Sequence, residues 1–288
     1  DRSTDKTWEI ITQFSEKYSF IRGIQIHELS EEMTPKKNAL TKAVEMTSGD
    51  IIVTTDADCR VPTTWVSSMV KSLGDNYSIS IGYSQTLVSA NSLFHRFQNM
   101  DFLGIMVANA GAAGWNNYWS GSGQNLAYLR SAFEEIGGFK PVHYRISGDD
   151  MYLVQSISKI GKATFNIDLG GSVKTTPTET VEQFVNQRSR WASNSRRMSE
   201  GSYSFFLFLV AAFLSNVFIF ISFFFGIGPF ISAFLIKFIF EGSVLFFGGQ
   251  LFKTPTPFYV YILWAFIQPF YIPAIALMGL NDKFKWKP

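Results

Sequence analysis

Three short groupings in this 288-residue chain carry side chains able to do chemistry. In the first, the apolar run Ile51-Ile52-Val53 passes through Thr54-Thr55 into Asp56-Ala57-Asp58. Two carboxylates therefore stand at i and i+2, which puts them on one face of an extended segment. They repel each other unless something positive lies there. A divalent ion carrying a diphosphate meets that need, because Mg²⁺ often binds through one or two carboxylates plus substrate phosphates. The competing reading is a polar strand exit with both aspartates in water. The second grouping, Gly148-Asp149-Asp150, opens an amphipathic stretch. Aspartates at a helix start are ordinary caps that suit the macrodipole, which explains one of them better than two. The third is Gln187-Arg188-Ser189-Arg190-Trp191, with Gln187, Arg190 and Trp191 on nearly one helix face. Its alternative is a basic helix beside a membrane, with Arg188, Arg190, Arg196 and Arg197 snorkelling to lipid phosphates.

The elements that must position these groups follow from periodicity. Thr4 to Tyr18 reads as a helix, Ile21 to His27 alternates like a strand, and Pro35 to Thr47 reads as a second helix stopped by Ser48-Gly49. The strand over 51–56 comes next, then a helix from about Pro62 to Leu73 and a strand over Ile79 to Leu87. Strand and helix alternate at spacings that point to a mostly parallel sheet with crossover helices. Ligands bind such sheets at the carboxyl ends of the strands, where Asp1, Asp56 and Asp58 are expected. Asn91 to Ala110 is a long helix of mixed polarity, read as packing over the sheet, with an acceptor- or lipid-contacting face as the sharper alternative. Gly111 to Gly123, with Trp115, Tyr118 and Trp119, reads as an irregular loop whose aromatics stack on sugars, pack internally or touch a membrane. A short strand (Gln124 to Leu129), a short helix (Ser131 to Ile136), the helix Met151 to Ile160 and a strand near Ala163 to Asn166 follow. A helix from Thr178, with Glu179 and Glu182 in its first turn, runs to about Met198.

Net charge is +2 and the chain is 47% hydrophobic, with a mean hydropathy of +0.09. That charge implies no strong electrostatic partner and no nucleic acid. Most of the 29 phenylalanines lie beyond Tyr203, so residues 1–202 read as a water-soluble α/β domain and 203–288 as membrane. Phe205 to Phe225 is uncharged and long enough to span a bilayer. Phe230 to Phe247 forms a second span, carrying Lys237 and Glu241 as an i, i+4 pair, and Phe258 to Leu280 a third, interrupted by Pro269 and Pro273. The arginines before Tyr203 place the large domain on the cytoplasmic side. Three full crossings would leave Lys283, Lys285 and Lys287 outside, against that rule, whereas a broken, re-entrant or interfacial third segment would not. The single cysteine, Cys59, excludes an internal disulfide and fits a reducing compartment. A helix-start pattern begins at once at Asp1, with the expectation that at least one strand precedes it in the full protein.

Taken together these segments resemble the membrane-attached family-2 glycosyltransferases, which include cellulose, chitin and hyaluronan synthases and ceramide glucosyltransferase. Asp1-Arg2-Ser3-Thr4-Asp5-Lys6-Thr7 is similar to the tail of that family's DDxSxDxT motif, and Pro35-Lys36-Lys37-Asn38-Ala39-Leu40 to its GKxxAL segment. Asp56-Ala57-Asp58 matches DxD, Gly121 to Ala127 matches GxxxNxA, Gly148-Asp149-Asp150 matches G(E/D)D and Gln187 to Trp191 matches QxxRW. The resemblance implies a GT-A, Rossmann-like α/β domain followed by membrane helices in the bacterial inner membrane. It implies Asp1 at the nucleoside, Lys36 near the nucleotide, and Asp56 at the nucleotide sugar and the metal. It also implies Asp58 as the Mg²⁺ or Mn²⁺ carboxylate and Asp150 as general base. Gln187, Arg190 and Trp191 would hold the diphosphate and the acceptor end, with Gly123, Asn125, Asp149 and Trp191 forming the acceptor region. The expected reaction is inverting transfer from a nucleotide sugar, UDP-linked by expectation, to a lipid or growing polysaccharide. A membrane-tethered nucleotidyltransferase and a catalytically degenerate scaffold are the alternatives. The first strand and first aspartate of the nucleotide motif fall ahead of Asp1, the Phe-rich gating segment is not evident before Gly121, and Asp149 stands where Glu is commoner.

Overall fold

The computed structural model describes residues 1–28, 30–89, 91–195 and 201–281. Arg196, Arg197, Met198, Lys283, Lys285 and Lys287, singled out above, lie outside the described residues. The first part of the chain is built on a four-stranded mixed sheet in the order β1 (Ile51–Thr54), β5 (Leu126–Leu129), β3 (Ile79–Gly82), β6 (Ala163–Asn166). β3 and β6 pair in parallel, while β5 lies antiparallel between β1 and β3. Three strands thus point one way and β5 the other. The expected mostly parallel sheet holds for strand direction but not for neighbours, since hydrophobic periodicity carries no information on direction.

Alternation along the strands sorts side chains between two layers. Leu126 and Tyr128 of β5, with Ile79 and Ile81 of β3, join a core completed by α5 (Arg130–Glu135) and α6 (Asp149–Ile160). Ala127 faces the other way, against Trp65 and Met69 of α3 (Trp65–Leu73). The expected single strand over Ile79 to Leu87 divides after Gly82. Its second half, β4 (Ser84–Thr86), joins β7 (Val173–Thr175) and β2 (Cys59–Arg60) in a separate three-stranded sheet. Ile21 to His27 forms no strand. Two backbone bonds touch it, Arg2 N to Ile26 O at 2.9 Å and Ile21 N to Tyr18 O at 3.0 Å, and alternation without a ladder leaves the segment extended.

The direction of each element decides what reaches the carboxyl edge of β1, β3 and β6. α2 (Pro35–Glu45) leads into β1, and α6 leads into β6, so both helices present their N-termini there. β5 runs the other way and brings its entry, Gly121 to Asn125, to the same edge.

α4 (Leu93–Gly114) outlasts the helix expected to end at Ala110, its start capped by Ser92 Oγ accepting from His95 N at 3.1 Å. The packing reading holds. It packs on β4 and β6, and it also forms one core with α9 (Ile227–Leu251) and α10 (Phe258–Leu280), through Met100, Leu103 and Met106 against Leu245 and Trp264. α7 (Val181–Ser193) starts with a capping box between Thr180 and Gln183 rather than at Thr178.

α8 (Tyr203–Phe223), α9 and α10 are each long and apolar enough to cross a membrane. α10 runs unbroken through Pro269 and Pro273. Lys237 pairs with Glu241, as its spacing implies, and donates to Gln268 Oε1 at 2.7 Å. Trp119 is a packing residue: its ring stacks on Phe208 at 4.7 Å and its Nε1 donates to Ser204 Oγ at 2.9 Å. Trp115, at the tip of the same loop, is 84% exposed.

Candidate active site

Asp149 and Asp150 occupy the first turn of α6, behind Gly148 at φ +86°. A side chain at 148 would be strained by that angle, and its Cβ would meet Asn194 Oδ1 at 2.7 Å, so glycine is required. Asp150 Oδ1 accepts from Met151 N at 2.8 Å and Oδ2 accepts from Gly123 N at 3.3 Å. Gly123 O in turn accepts from Thr54 Oγ1 at 2.7 Å. The last residue of β1, the entry to β5 and the start of α6 are thereby tied in one line, with Asp150 at its end.

Opposite stand two lysines at the start of α2. Cations at a helix N-terminus oppose the macrodipole, and here three carboxylates offset the cost. Lys36 Nζ lies 3.4 Å from Asp149 Oδ2 and 3.7 Å from Asp56 Oδ1. Burial works to lower the Lys36 ammonium, but Asp149, Asp56 and Asp150 outweigh it and hold it above its ordinary value. Lys37 is fully buried; its Nζ donates to Arg145 O and lies 3.9 Å from Asp149 Oδ1. Burial draws Lys37 below its ordinary value, with Asp149 opposing.

The two aspartates of α6 are driven apart. Burial works to raise Asp149, yet Lys36 and Lys37 overcome it and hold that carboxyl below its ordinary value. Burial raises Asp150, and the negative charge of Asp149 adds to it. Adjacent carboxyls with opposed shifts are the mark of a divided acid–base role. Arg190 closes the cluster: Nη1 donates to Ser147 Oγ at 3.3 Å. Burial pulls its guanidinium below the ordinary value while Asp150, Asp149 and Asp56 oppose that, and an arginine stays charged throughout. A cavity of about 630 Å³ is lined by Glu31 to Thr34 and by Lys140, His143 and Tyr144, none of them a member of this cluster.

The structure therefore brings Lys36, Asp56, Gly123, Asp149, Asp150 and Arg190 together. Other expected residues stand elsewhere. Asp58 is exposed in the turn after β1, its carboxylate 3.5 Å from Cys59 Sγ and its carbonyl accepting from Thr176. Asp1 is exposed and paired with Arg2 at 3.0 Å. Asn125 is fully buried, donating to Tyr83 O and Gly171 O and accepting from Trp65 Nε1, so its side chain ties the link between β3 and β4 to α3 and to the segment leading into β7. Gln187 accepts from Arg188 Nη1 at 2.7 Å, and Trp191 packs on Phe102 with the Arg188 guanidinium 4.1 Å above its ring.

Sequence reasoning missed Lys37, whose one signal was a second lysine at a helix start. The alternative in which Arg188 snorkels to lipid does not hold: it is buried and bound through Nε to Asp101 Oδ2 at 2.7 Å.

Among the described residues no three His, Cys, Asp or Glu side chains are grouped to hold a metal by themselves. Asp56 and Asp58 are nevertheless both open to solvent, and two oxygen donors completed by phosphate oxygens suit Mg²⁺ or Mn²⁺. The set fits such an ion.

The mixed sheet, the DxD turn at the end of β1 and the acidic N-terminus of α6 define a GT-A-type glycosyltransferase. The chain belongs to glycosyl transferase family 21, whose profile matches residues 1–287. The motif resemblance to family 2 reaches this family through its ceramide glucosyltransferase-like members. The probable glycosyltransferase YdaM of Bacillus subtilis (strain 168) is 27% identical over 199 residues, which cover 68% of this chain and 46% of that protein. The chain thus spans about half the length of that curated relative. The mannosyltransferase PcManGT from Pyrobaculum calidifontis, solved in complex with GDP-Man and Mn²⁺, superposes with a TM-score of 0.58 at 18% identity. The match covers 98% of this chain and 76% of that one, and it shows a common fold.

Proposed function

We propose that the protein transfers a sugar from a nucleotide sugar, a UDP-sugar by preference, to a membrane-associated lipid or polysaccharide acceptor, inverting the anomeric centre. The observation that carries this reading is the Asp150 carboxyl, raised in pKa and held by Gly123 N–H beside Lys36 and Arg190. Asp150 takes the proton of the acceptor hydroxyl as its oxygen attacks the anomeric carbon from the face opposite the diphosphate. The carbon–oxygen bond to the diphosphate breaks in the same displacement, with no covalent glycosyl intermediate. Lys36 and Arg190 offset the charge gathering on the leaving group. Asp58 and Asp56 would hold Mg²⁺ or Mn²⁺, which supplies Lewis-acid neutralisation of that diphosphate when bound. Asp149, held ionised, keeps Lys36 in place. The domain of residues 1–202 faces the cytoplasm.

The test is a screen of radiolabelled nucleotide sugars against membranes carrying the full-length protein, with lipid and polymer fractions separated. Metal-dependent appearance of label in one fraction, with release of a nucleoside diphosphate, is the expected result. Release of pyrophosphate would make it a nucleotidyltransferase.

A further inference from the structure

The three-stranded sheet carries two cations that face each other. Arg60 of β2 stands directly opposite Lys174 of β7, and Lys174 is level with Gln85 of β4. Cys59 turns inward, its Sγ donating to Gln124 Oε1 at 3.3 Å, and Val173 is fully buried. Alternation therefore turns Arg60 and Lys174 outward, on the face that Asp58 shares two residues before Arg60. Both cations are exposed, and among the described residues neither side chain has an ion pair or a hydrogen bond. Like charges directly opposite in a sheet are destabilising, and an anion laid across the pair removes that repulsion. Phosphate suits it, since a guanidinium binds two of its oxygens at once and an ammonium adds a point charge.

The neighbours of this row indicate which phosphate it takes. On one side, Gln85 Oε1 accepts from Thr254 Oγ1 at 3.4 Å, and the same hydroxyl shares a hydrogen bond of 2.7 Å with Tyr83 OH. Thr254 lies in the short link between α9 and α10, helices long and apolar enough to cross a membrane. On the other side, Thr176 Oγ1 donates to Asp58 O at 3.0 Å, which sets the next rung of the sheet at the DxD turn. The chain leaving β4 at that rung carries the exposed apolar side chains of Val88 and Leu93. The row thus runs from the membrane helices to the turn that would hold the metal. The donor diphosphate already has Lys36 and Arg190 around Asp56, whereas Arg60 and Lys174 stand past Asp58 in the other sheet.

We infer that Arg60 and Lys174 hold a phosphate of the acceptor, so that the acceptor is a membrane lipid carrying a phosphate beside its reacting hydroxyl: a hydroxyl-bearing anionic phospholipid. The inference rests on the sugar transfer proposed above. The lipid hydroxyl oxygen bonds to the anomeric carbon, its proton passes to Asp150, and the bond from that carbon to the donor diphosphate breaks. The lipid phosphate is unchanged and serves only as the handle. A neutral lipid alcohol offers the same hydroxyl but leaves both cations without a partner.

The test uses the full-length protein in phosphatidylcholine vesicles with the nucleotide sugar identified by the screen above. Phosphatidylglycerol and phosphatidylinositol are compared with diacylglycerol and ceramide, which have the hydroxyl without the phosphate, and with glycerol phosphate, which has no lipid tail. Label should enter a phospholipid in preference to all three. Arg60→Gln and Lys174→Gln, both at exposed positions, should each raise the KM for that phospholipid about 10-fold, the weight of one charge-assisted hydrogen bond. The KM for the nucleotide sugar should stay as in the wild type, and Lys174→Arg should keep phospholipid binding. Transfer to diacylglycerol, ceramide, glycerol phosphate or polymer as fast as to any phospholipid overturns the inference and leaves the proposed sugar transfer standing. A rise in the KM for the nucleotide sugar instead assigns the pair to the donor and also overturns it. Failure of every nucleotide sugar to release a nucleoside diphosphate overturns both.

Discussion

Gly123 N–H donates to Asp150 Oδ2 at 3.3 Å, and this single bond joins the entry of an antiparallel strand to the start of a helix. The bond itself favours the ionised carboxylate, but burial and the neighbouring Asp149 charge outweigh it and raise Asp150, which makes it a better proton acceptor than an exposed aspartate.

The sign of that shift predicts the stability of Asp150→Asn. A carboxyl whose folded pKa is raised contributes its full stability below the unfolded value and loses it as pH rises through the folded one. Above the folded value the Asp150 carboxyl therefore contributes none of that stability. Asp150→Asn should melt at or above the wild-type Tm at pH 7 in detergent. A drop of several degrees would contradict the placement.

Asp149 carries the opposite sign. Its folded pKa is lowered, so its contribution is present above the unfolded value near 3.8 and lost as pH falls through the folded value. Asp149→Asn leaves Lys37 buried without its carboxylate, and the expected cost is about 1–3 kcal/mol at pH 7. Chemical denaturation at pH 7 reads it, and an unchanged midpoint would speak against the Lys36–Asp149–Lys37 arrangement.

The same neighbours set the pH profile of transfer. The acidic limb of kcat/KM should fall at a pH above the ordinary aspartate value of 3.8, because burial and Asp149 both raise Asp150. Removing the Asp149 charge relieves one of those causes, so any residual activity of Asp149→Asn should show its acidic limb moved to lower pH. A limb that stays put would assign the titration to another group.

The buried pair Asp101–Arg188 offers a double-mutant cycle. Arg188→Met strands a buried carboxylate and should cost about 3–5 kcal/mol. Asp101→Asn combined with Arg188→Met should be less damaging than the sum of the two single changes. Strict additivity would mean that the pair does not act as a unit.

How much of this was legible in the sequence varies with the kind of signal. Asp56, Asp149 and Asp150 were readable because each stands where an element begins or ends, and element junctions are marked by local chemistry such as β-branched runs and Gly148. Strand direction was not readable. β5 alternates as any strand does, and only pairing showed that it enters from the active edge and so delivers Gly123. Ile21 to His27 alternates too, but without a ladder of hydrogen bonds it is no strand. Asn125 looked like part of an acceptor site by its position in a motif, whereas its three hydrogen bonds make it a buried hub; nothing local distinguishes the two. Arg188 sat among arginines beside an apolar run and looked lipid-facing. Its partner Asp101 lies 87 residues away, a relation no local pattern encodes. Pro269 and Pro273 suggested a broken helix, yet α10 continues through both.

The central claim is that Asp150 is the base of a sugar transfer that leaves a nucleoside diphosphate. The most direct measurement supplies radiolabelled nucleotide sugar to membranes carrying either the wild type or Asp150→Asn, and follows acceptor label and nucleoside diphosphate together. The account predicts one diphosphate released per sugar transferred by the wild type, and a loss of about 100-fold or more in the variant, in line with the weight of a positioned base. Turnover in Asp150→Asn near that of the wild type would contradict it.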